Sequence, residues 1–296
     1  MLPNLSAPGP MAAKVQAVQS YIEKLSYNFT GVNYFDVRKQ RPMGRIMETA
    51  RDITRQALPI KCVEAVFLAT YLTQGLRDLE RVAVSFKSTV DGQTYKHIIL
   101  ALKHNSKWGS VGLSRRRELY FKELIYDSLA DLVLEFKRSY ERVFHTLKRV
   151  KVGLPMSHDP VAGEFVFWDY LLVRFSDINA ATEKLAEHGR TAHKLHDQWK
   201  NEVKKGAGTT SGPPRGPVVR LDSKKGAEKG KKPAEERGLS GDSDSSDGEV
   251  SRASLDEGRG EADSSTGADG SSTDGKFMGT ENNGAAARPR PSFLAV

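Results

Sequence analysis

The chain changes character near residue 205, and this division restricts a folded core to its first two thirds. Residues 206–296 contain 2 of the 24 aromatic residues and 16 of the 26 glycines. A segment with so few aromatics cannot bury enough apolar surface to offset the entropy lost on ordering. We therefore predict a flexible lead at residues 1–10, a single domain at 11–205 and a disordered low-complexity tail at 206–296.

The predicted domain is basic, whereas the tail is not. Residues 1–205 hold 32 Lys+Arg and 22 Asp+Glu, a net of +10, and residues 206–296 hold 13 and 15, a net of −2. The tail divides into a basic block at 213–237 and an acidic block at 240–281. A basic domain predicts an acidic partner, such as nucleic acid, an anionic lipid surface or an acidic protein segment. Since no recognised nucleic-acid motif is present, we expect no nucleic-acid partner.

Other features exclude several classes of protein. A single cysteine excludes an intrachain disulfide framework and a cysteine-based zinc cluster, and it suits a reducing compartment. No stretch approaches the roughly 18 apolar residues that a membrane span requires. The first residues lack the basic and apolar regions of a secretory signal. His193 and His196 are one helical turn apart without a carboxylate partner, so we expect no metal site.

The apolar periodicity changes along the domain from helical to strand-like and back again. Helical spacing predicts helices at 11–25, 45–57, 62–72, 128–147 and 177–203. Runs of β-branched and aromatic residues predict strands at 82–88 and 94–103, with shorter strands at 33–37 and 110–113. The two long runs flank Asp91-Gly92, a strong hairpin signal. This order predicts an α+β fold in which helices pack on a small antiparallel sheet.

The lone cysteine, Cys62, stands at the predicted start of a helix, shortly after Pro59. The positive end of the helix macrodipole and the neighbouring Lys61 both favour the thiolate, which is the nucleophilic form. The alternative is that Cys62 is a small buried apolar residue at the head of the helix.

A cysteine nucleophile needs a general base, and His97 on the second hairpin strand is the best placed of the seven histidines. Cysteine at a helix head and histidine on an adjacent strand is the arrangement of papain-like and transglutaminase-like enzymes. The alternative is that His97 is an ordinary half-buried strand residue. No Asp or Asn follows where a conventional triad has one, so Ser114 is left to supply a hydroxyl or its backbone carbonyl. The run Arg115–Arg117 is either a solvated turn or an anion clamp.

Five segments, in order along the chain, resemble the vasohibin family. They are SYNFTG at 26–31, ALPIKCVEAV at 57–66, SFK at 85–87, LSRR at 113–116 and SHDP at 157–160. The resemblance implies a transglutaminase-like cysteine peptidase that removes the C-terminal tyrosine of α-tubulin. It also implies a cytoplasmic protein associated with microtubules, and no bound cofactor is expected.

The resemblance assigns a role to ten positions. The catalytic positions are Cys62 as nucleophile, His97 as general base and Ser114 as the third member. The substrate-binding positions are Tyr27 beside the cleft, Lys61 and Arg115 for the terminal carboxylate, and Arg38, Lys39, Arg41 and Lys87 for the acidic tail.

The resemblance also implies a helical partner, small vasohibin-binding protein, which the family grips with a segment N-terminal to the point where this chain starts. Whether small vasohibin-binding protein binds this chain is therefore left open. The alternative to an active enzyme is a catalytically weak basic module that binds microtubules.

Overall fold

The computed structural model describes residues 2–161 and 163–205, with side chains described as far as residue 201. The tail predicted at 206–296 lies outside the described residues. The elements, in chain order, are α1 (Met11–Lys24), α2 (Met43–Gln56), α3 (Cys62–Leu72), β1 (Glu80–Val90), β2 (Gln93–His104), β3 (Lys107–Val111), a short 3-10 helix (Arg117–Leu119), β4 (Lys122–Tyr126), α4 (Leu129–Arg142), β5 (Thr146–Val152), β6 (Leu171–Arg174) and α5 (Ile178–Lys205).

The six strands form one antiparallel sheet in the order β4-β3-β2-β1-β5-β6. Its central hairpin joins β1 to β2 through Asp91 and Gly92, whose φ angles are +48° and +75°. Positive φ at both turn residues is what a two-residue hairpin of type I′ requires, and Asp-Gly supplies it at little cost. The predicted α+β class and the predicted hairpin are confirmed.

Helices cover both faces of this sheet, so the domain has two apolar cores. On one face, α1, α2 and α3 pack against alternate residues of β2, including Ile98 and Leu100. On the other face, α4 and the first half of α5 pack against residues such as Phe86 and Ile99. The alternation along β1 and β2 assigns successive side chains to opposite cores, as the two-residue period of a strand demands. The register of β1 and β2 is therefore fixed, because a shift of one residue would move each side chain to the opposite core.

Three parts of the predicted secondary structure are wrong. Residues 33–37 form a loop, because the segment is held by side-chain contacts and has no neighbouring strand. The helix predicted at 128–147 ends at Arg142, and the chain turns at Phe144 with a φ of +64° before β5 begins. The strands β4, β5 and β6 were not predicted, so the sheet is larger than expected.

Two further features of the described part of the chain bear on function. No helix in it is both long and apolar enough to cross a membrane. The same residues contain no group of three or more His, Cys, Asp or Glu arranged to hold a metal ion. His193 contacts the carboxylate of Glu80, and His196 stacks on Trp199.

The close approach of two loop segments at Gly153 gives a test of this packing. A Cβ added at Gly153 would lie 2.1 Å from the carbonyl oxygen of Phe167, whereas one at Gly163 would meet nothing within 4 Å. We expect Gly153→Ala to lower the free energy of unfolding by about 2 kcal/mol, because backbone must move to admit the methyl group. That change corresponds to a fall in Tm of about 4–8 °C for a domain of this size. Thermal unfolding followed by circular dichroism measures it, and Gly163→Ala is the control, expected to leave Tm within about 1 °C. Equal effects of the two substitutions would contradict the packing described.

Candidate active site

The chain reaches Cys62 through a short pairing between two loops. Asn28 donates its backbone N–H to the carbonyl of Ile60 at 2.8 Å, and Ile60 donates its own to the carbonyl of Ser26 at 3.2 Å. These bonds form an isolated parallel bridge between Tyr27 and Ile60. Because Ile60 is two residues before the helix head, the bridge places Tyr27 beside Cys62.

The Cys62 sulfur lies at an open position of the sheet edge. It accepts a hydrogen bond from the backbone N–H of Ile98 on β2. Strand β3 pairs with β2 only from Leu100 onward, opposite Val111, so β3 does not cover the edge at Ile98. The thiol thus occupies the place that a longer β3 would fill, one residue along β2 from His97.

Burial raises the pKa of the Cys62 thiol, against the prediction of a stabilised thiolate. Backbone N–H groups of Ile98, Val63 and Cys62 itself act in the other direction, and the last two belong to the N-terminus of α3. Glu64, in the first turn of the same helix, raises the pKa further. The macrodipole argument was therefore correct in sign but is outweighed by loss of solvent.

Glu64 is itself an unusual group for this position. Its side chain is fully buried, its Oε2 accepts the backbone N–H of Lys61 at 3.1 Å, and its Oε1 is buried without a partner in the described structure. Burial raises the pKa of this carboxyl. Glu64 caps the first turn of α3 and so orients the residue that carries the thiol.

His97 is oriented by a backbone carbonyl. Its Nε2 lies 2.8 Å from the carbonyl oxygen of Leu119, and its ring stacks on Phe86 with centroids 6.3 Å apart. A carbonyl oxygen only accepts, so Nε2 carries the proton and Nδ1 of the neutral ring keeps its lone pair. Burial lowers the pKa of His97 to about 4. At neutral pH, the resting pair is therefore a neutral thiol and a neutral imidazole.

The hydrogen bond expected from Ser114 to His97 is not the one found. In the described structure the Nε2 partner is the Leu119 carbonyl, while Ser114 Oγ accepts the backbone N–H of Arg116 at 3.4 Å. The catalytic role of Ser114 stays a prediction. Leu119 was missed because a backbone carbonyl has no signature in sequence.

The loop after β3 is held by Gln19 of α1. The fully buried Gln19 amide accepts the N–H of Gly112 and donates to its carbonyl, each at 3.0 Å. Three residues later, the Arg115 guanidinium lies 5.7 Å from the centre of the Tyr27 ring and hydrogen-bonds its hydroxyl. Burial, followed by the nearby Cys62, raises the pKa of Tyr27. The structure thus brings Tyr27 and Arg115 together beside the thiol.

The side chain of Lys61 is hydrogen-bonded to the loop that contains Gly31 and Asn33. Its Nζ donates to the carbonyl of Gly31 at 3.1 Å and to Oδ1 of Asn33 at 3.0 Å. An ammonium group has three donors, so one N–H is not used by these two bonds. The predicted contact of Lys61 with a carboxylate is compatible with this tether.

The remaining predicted basic residues differ in availability. Arg38 is exposed and pairs with Asp36, whose carboxyl has its pKa lowered to about 2, chiefly by hydrogen bonds from Arg38. Arg41 is only 14% exposed and binds Asp36 while packing over Phe67, so it holds the loop together. Lys39 is partly exposed, and its carbonyl accepts the indole N–H of a buried tryptophan. Substrate contacts of these three residues stay predictions.

Sequence reasoning also missed Tyr140 of α4. Its ring packs 5.6 Å from Phe86, which in turn stacks on His97. Burial and the proximity of Cys62 raise the pKa of Tyr140, and its hydroxyl is buried without a partner in the described structure. Tyr140 therefore closes the site from the second core.

Comparison with known proteins gives two matches. The chain matches the Vasohibin family model over residues 1–196. It is also 40% identical over 169 residues to Tubulinyl-Tyr carboxypeptidase 1 from Mus musculus. That alignment covers 57% of this chain and 45% of the mouse protein, so the match spans a little under half of the relative's length.

The neutral resting state of Cys62 is open to direct measurement, because the chain has one cysteine. We expect the rate of alkylation by iodoacetamide to stay low near pH 7 and to rise through the alkaline range, since only the thiolate reacts and burial disfavours it. The rate is followed by intact-mass spectrometry between pH 6 and 10.5, with the chain in denaturant as the control for an ordinary thiol. A reactive plateau that begins below about pH 7 would reveal a thiolate–imidazolium pair and contradict this expectation.

Proposed function

The chain belongs to the vasohibin family, and from this premise we propose that it is a cysteine carboxypeptidase that removes the C-terminal tyrosine from the acidic tail of α-tubulin. The observation that supports the proposal best is the position of the Cys62 sulfur on the N–H of Ile98, one residue along β2 from His97, whose Nε2 binds the Leu119 carbonyl. The name of the mouse relative supports the choice of tubulin tyrosine as substrate.

The first chemical step transfers a proton within the Cys62–His97 pair. His97 Nδ1, which has the free lone pair, takes the thiol proton as the sulfur attacks the carbonyl carbon before the terminal tyrosine. Because both groups are neutral at rest, the ion pair forms only when substrate binds and the thiolate becomes a nucleophile. The Leu119 carbonyl keeps the ring oriented and stabilises the imidazolium through the N–H at Nε2.

The second step releases the products. The tetrahedral intermediate collapses as Nδ1–H of His97 protonates the departing amine, so that free tyrosine leaves and a thioester to Cys62 remains. Water then attacks the thioester while Nδ1 takes its proton, and the proton returns to the sulfur as the shortened tail leaves. We assign the transient oxyanion to backbone N–H groups at the head of α3, where the helix dipole favours negative charge.

Selectivity for a chain terminus follows from the cations beside the thiol. The Arg115 guanidinium is exposed and lies over Tyr27, in a position to bind a terminal carboxylate bidentately. The free N–H of Lys61 adds a second donor. A polypeptide that continues past the scissile bond has no carboxylate to offer these groups, so the site favours removal of one residue.

The same proposal covers partners and location. We propose microtubules as the acidic partner of the basic domain and the cytoplasm as the place of action, since tubulin is there. Small vasohibin-binding protein remains a proposed partner, and its contribution is measured in the assay below.

A detyrosination assay on purified microtubules tests the function. Loss of terminal tyrosine is followed by immunoblotting and mass spectrometry, with and without small vasohibin-binding protein. We expect turnover by the unaltered chain and at least a 10³-fold loss in Cys62→Ala, because no other thiol is present. Microtubule binding without turnover in either condition would contradict the proposal and support a binding module.

The contact of His97 with Leu119 predicts different effects for two further substitutions. We expect His97→Ala to lower kcat at least 10³-fold, because proton transfer is lost. Ser114→Ala removes the acceptor for the Arg116 N–H and disturbs the loop that holds Arg115, so its effect falls on KM, about 10-fold, with kcat within about 3-fold. Steady-state kinetics on a peptide ending in tyrosine separate the two constants. A loss of kcat in Ser114→Ala equal to that in His97→Ala would instead support the predicted role of Ser114 as the third member of the triad.

A further inference from the structure

The described part of the chain has a cavity of about 250 Å³ at the end of the sheet away from Cys62. It lies between the connection from α3 to β1, the turn from β2 to β3 and the loop after β5. Strand β2 joins the two places, because Ile98 binds the thiol and His104, six residues further along, lines the cavity about 20 Å away. Lys87, to which the resemblance assigns a substrate contact, is partly exposed on β1, six residues from Arg81, and that contact stays a prediction. The cavity is therefore separate from the candidate active site.

Positive or titratable side chains dominate the lining of this cavity. They are Arg77, Arg81, Lys103, His104, His158 and His193. Two carboxylates also line it, but Asp78 is exposed to solvent, and the Glu80 Oε2 already lies 2.8 Å from the Nε2 of His193 and 3.4 Å from the Nζ of Lys103. Three permanent positive charges thus face two negative ones before any histidine is protonated.

Arg81 is a fully buried cation without a counter-ion. It is the largest fully buried side chain in the described part of the chain. Its guanidinium donates to the carbonyls of Thr70, Met156 and Ser157, its Nε is buried without a partner, and no carboxylate is among its partners in the described structure. Burial lowers the pKa of Arg81 to about 10, so the group is still charged at neutral pH. Such a charge is costly to the fold, and an anion in the adjoining cavity would offset that cost.

His158, on the loop after β5, gives a second and independent indication. Its Nδ1 lies 3.0 Å from the carbonyl oxygen of Gln74, and its Nε2 lies 3.0 Å from that of Leu79. Carbonyl oxygens only accept, so both contacts are hydrogen bonds only when the ring carries two protons and a positive charge. Burial, followed by the charge of Arg81, lowers the pKa of His158, so the neutral ring leaves one carbonyl facing a lone pair. A negative charge in the cavity would favour the imidazolium and complete both bonds.

The size of the cavity and the arrangement of its donors indicate the class of ligand. Sites for drug-sized molecules begin at about 300 Å³, so this cavity suits a smaller group. Its polar groups come from three connections that surround it, and they can therefore meet oxygens in several directions, as a tetrahedral group presents them. Guanidinium groups match the oxygens of phosphate in geometry as well as in charge.

We propose that this cavity binds a phosphate group, free or as a small monoester, with Arg81 as its buried counter-charge, His158 beside it and Arg77 at the exposed rim. The inference goes beyond the proposed function and does not depend on it, because none of these three residues has a role in catalysis or in substrate binding.

Phosphate-dependent stability of the whole chain tests the site. Tm is measured by circular dichroism at pH 7 with increasing inorganic phosphate or glycerol 3-phosphate, against sodium chloride at the same ionic strength, and Kd is measured by calorimetry. We expect saturable stabilisation and binding of phosphate at least about 10-fold tighter than that of chloride, because a ligand that binds only the folded state raises Tm. Whichever of the two phosphates binds more tightly identifies the source of the group. Equal effects of phosphate and chloride on Tm would overturn the inference.

Nuclear magnetic resonance of the ring nitrogens gives a readout specific to His158, whose signal is assigned by its loss in His158→Gln. We expect saturating phosphate to move the protonation of His158 to a pH about 1 higher than in chloride, because an anion in the cavity offsets the charge of Arg81. Phosphate that binds without changing the titration of His158 would place the anion elsewhere and overturn the inference.

Substitutions with a matched control locate the site. We expect Arg81→Met to abolish the phosphate-dependent rise in Tm, and Arg77→Ala to weaken phosphate binding about 3-fold. Arg55→Ala removes the same charge from an exposed position on α2, and we expect it to leave Kd within about 2-fold. If circular dichroism shows that Arg81→Met does not fold, Arg77→Ala and His158→Gln decide, since neither of these side chains is fully buried. Phosphate binding that survives in a folded Arg81→Met, or equal losses in Arg77→Ala and Arg55→Ala, would overturn the inference.

Discussion

The buried amide of Gln19 holds the start of the loop that follows β3, and this loop contributes Arg115 and Leu119 to the candidate site. Its two hydrogen bonds to Gly112 join α1 to the point where the chain leaves β3, 93 residues away in sequence. An amide pair buried in an apolar core is expensive to leave unsatisfied, so the loop has one stable position. Everything that the loop contributes, from Arg115 over Tyr27 to the Leu119 carbonyl at His97, follows from that attachment.

The early end of β3 is the second feature that shapes the candidate site. By leaving the sheet at Val111, the chain exposes one N–H of β2, at Ile98, and the thiol of Cys62 binds it. A complete strand would have satisfied that donor and displaced the head of α3. The site is thus made from a gap in regular structure, where polar backbone groups lack strand partners and become available for binding and chemistry.

Burial accounts for the electrostatic character of the site better than charge does. Cys62 and His97 both have pKa values shifted toward their neutral forms, although Lys61 and the head of α3 are adjacent to the thiol. Neutral groups are easier to remove from water than charged ones, and a thiol that is not ionised at rest is less exposed to oxidation. The nearby cations are Arg115, over the Tyr27 ring, and Lys61, bound to the Gly31 carbonyl; in the proposed function they bind the substrate carboxylate.

The amino-acid sequence by itself determined the features that are local. The Asp91-Gly92 turn, the start of α3 at Cys62 and the α+β class all follow from short-range rules of turn geometry, proline and apolar period. The sequence pattern did not predict β5, because the helical period continues past the end of α4 at Arg142 and across the turn at Phe144. Tertiary structure alone decided the partner of His97 and the register of the sheet. The reason is physical: a backbone carbonyl such as that of Leu119 is the same in every residue, and strand register depends on pairings between distant segments that no local pattern records.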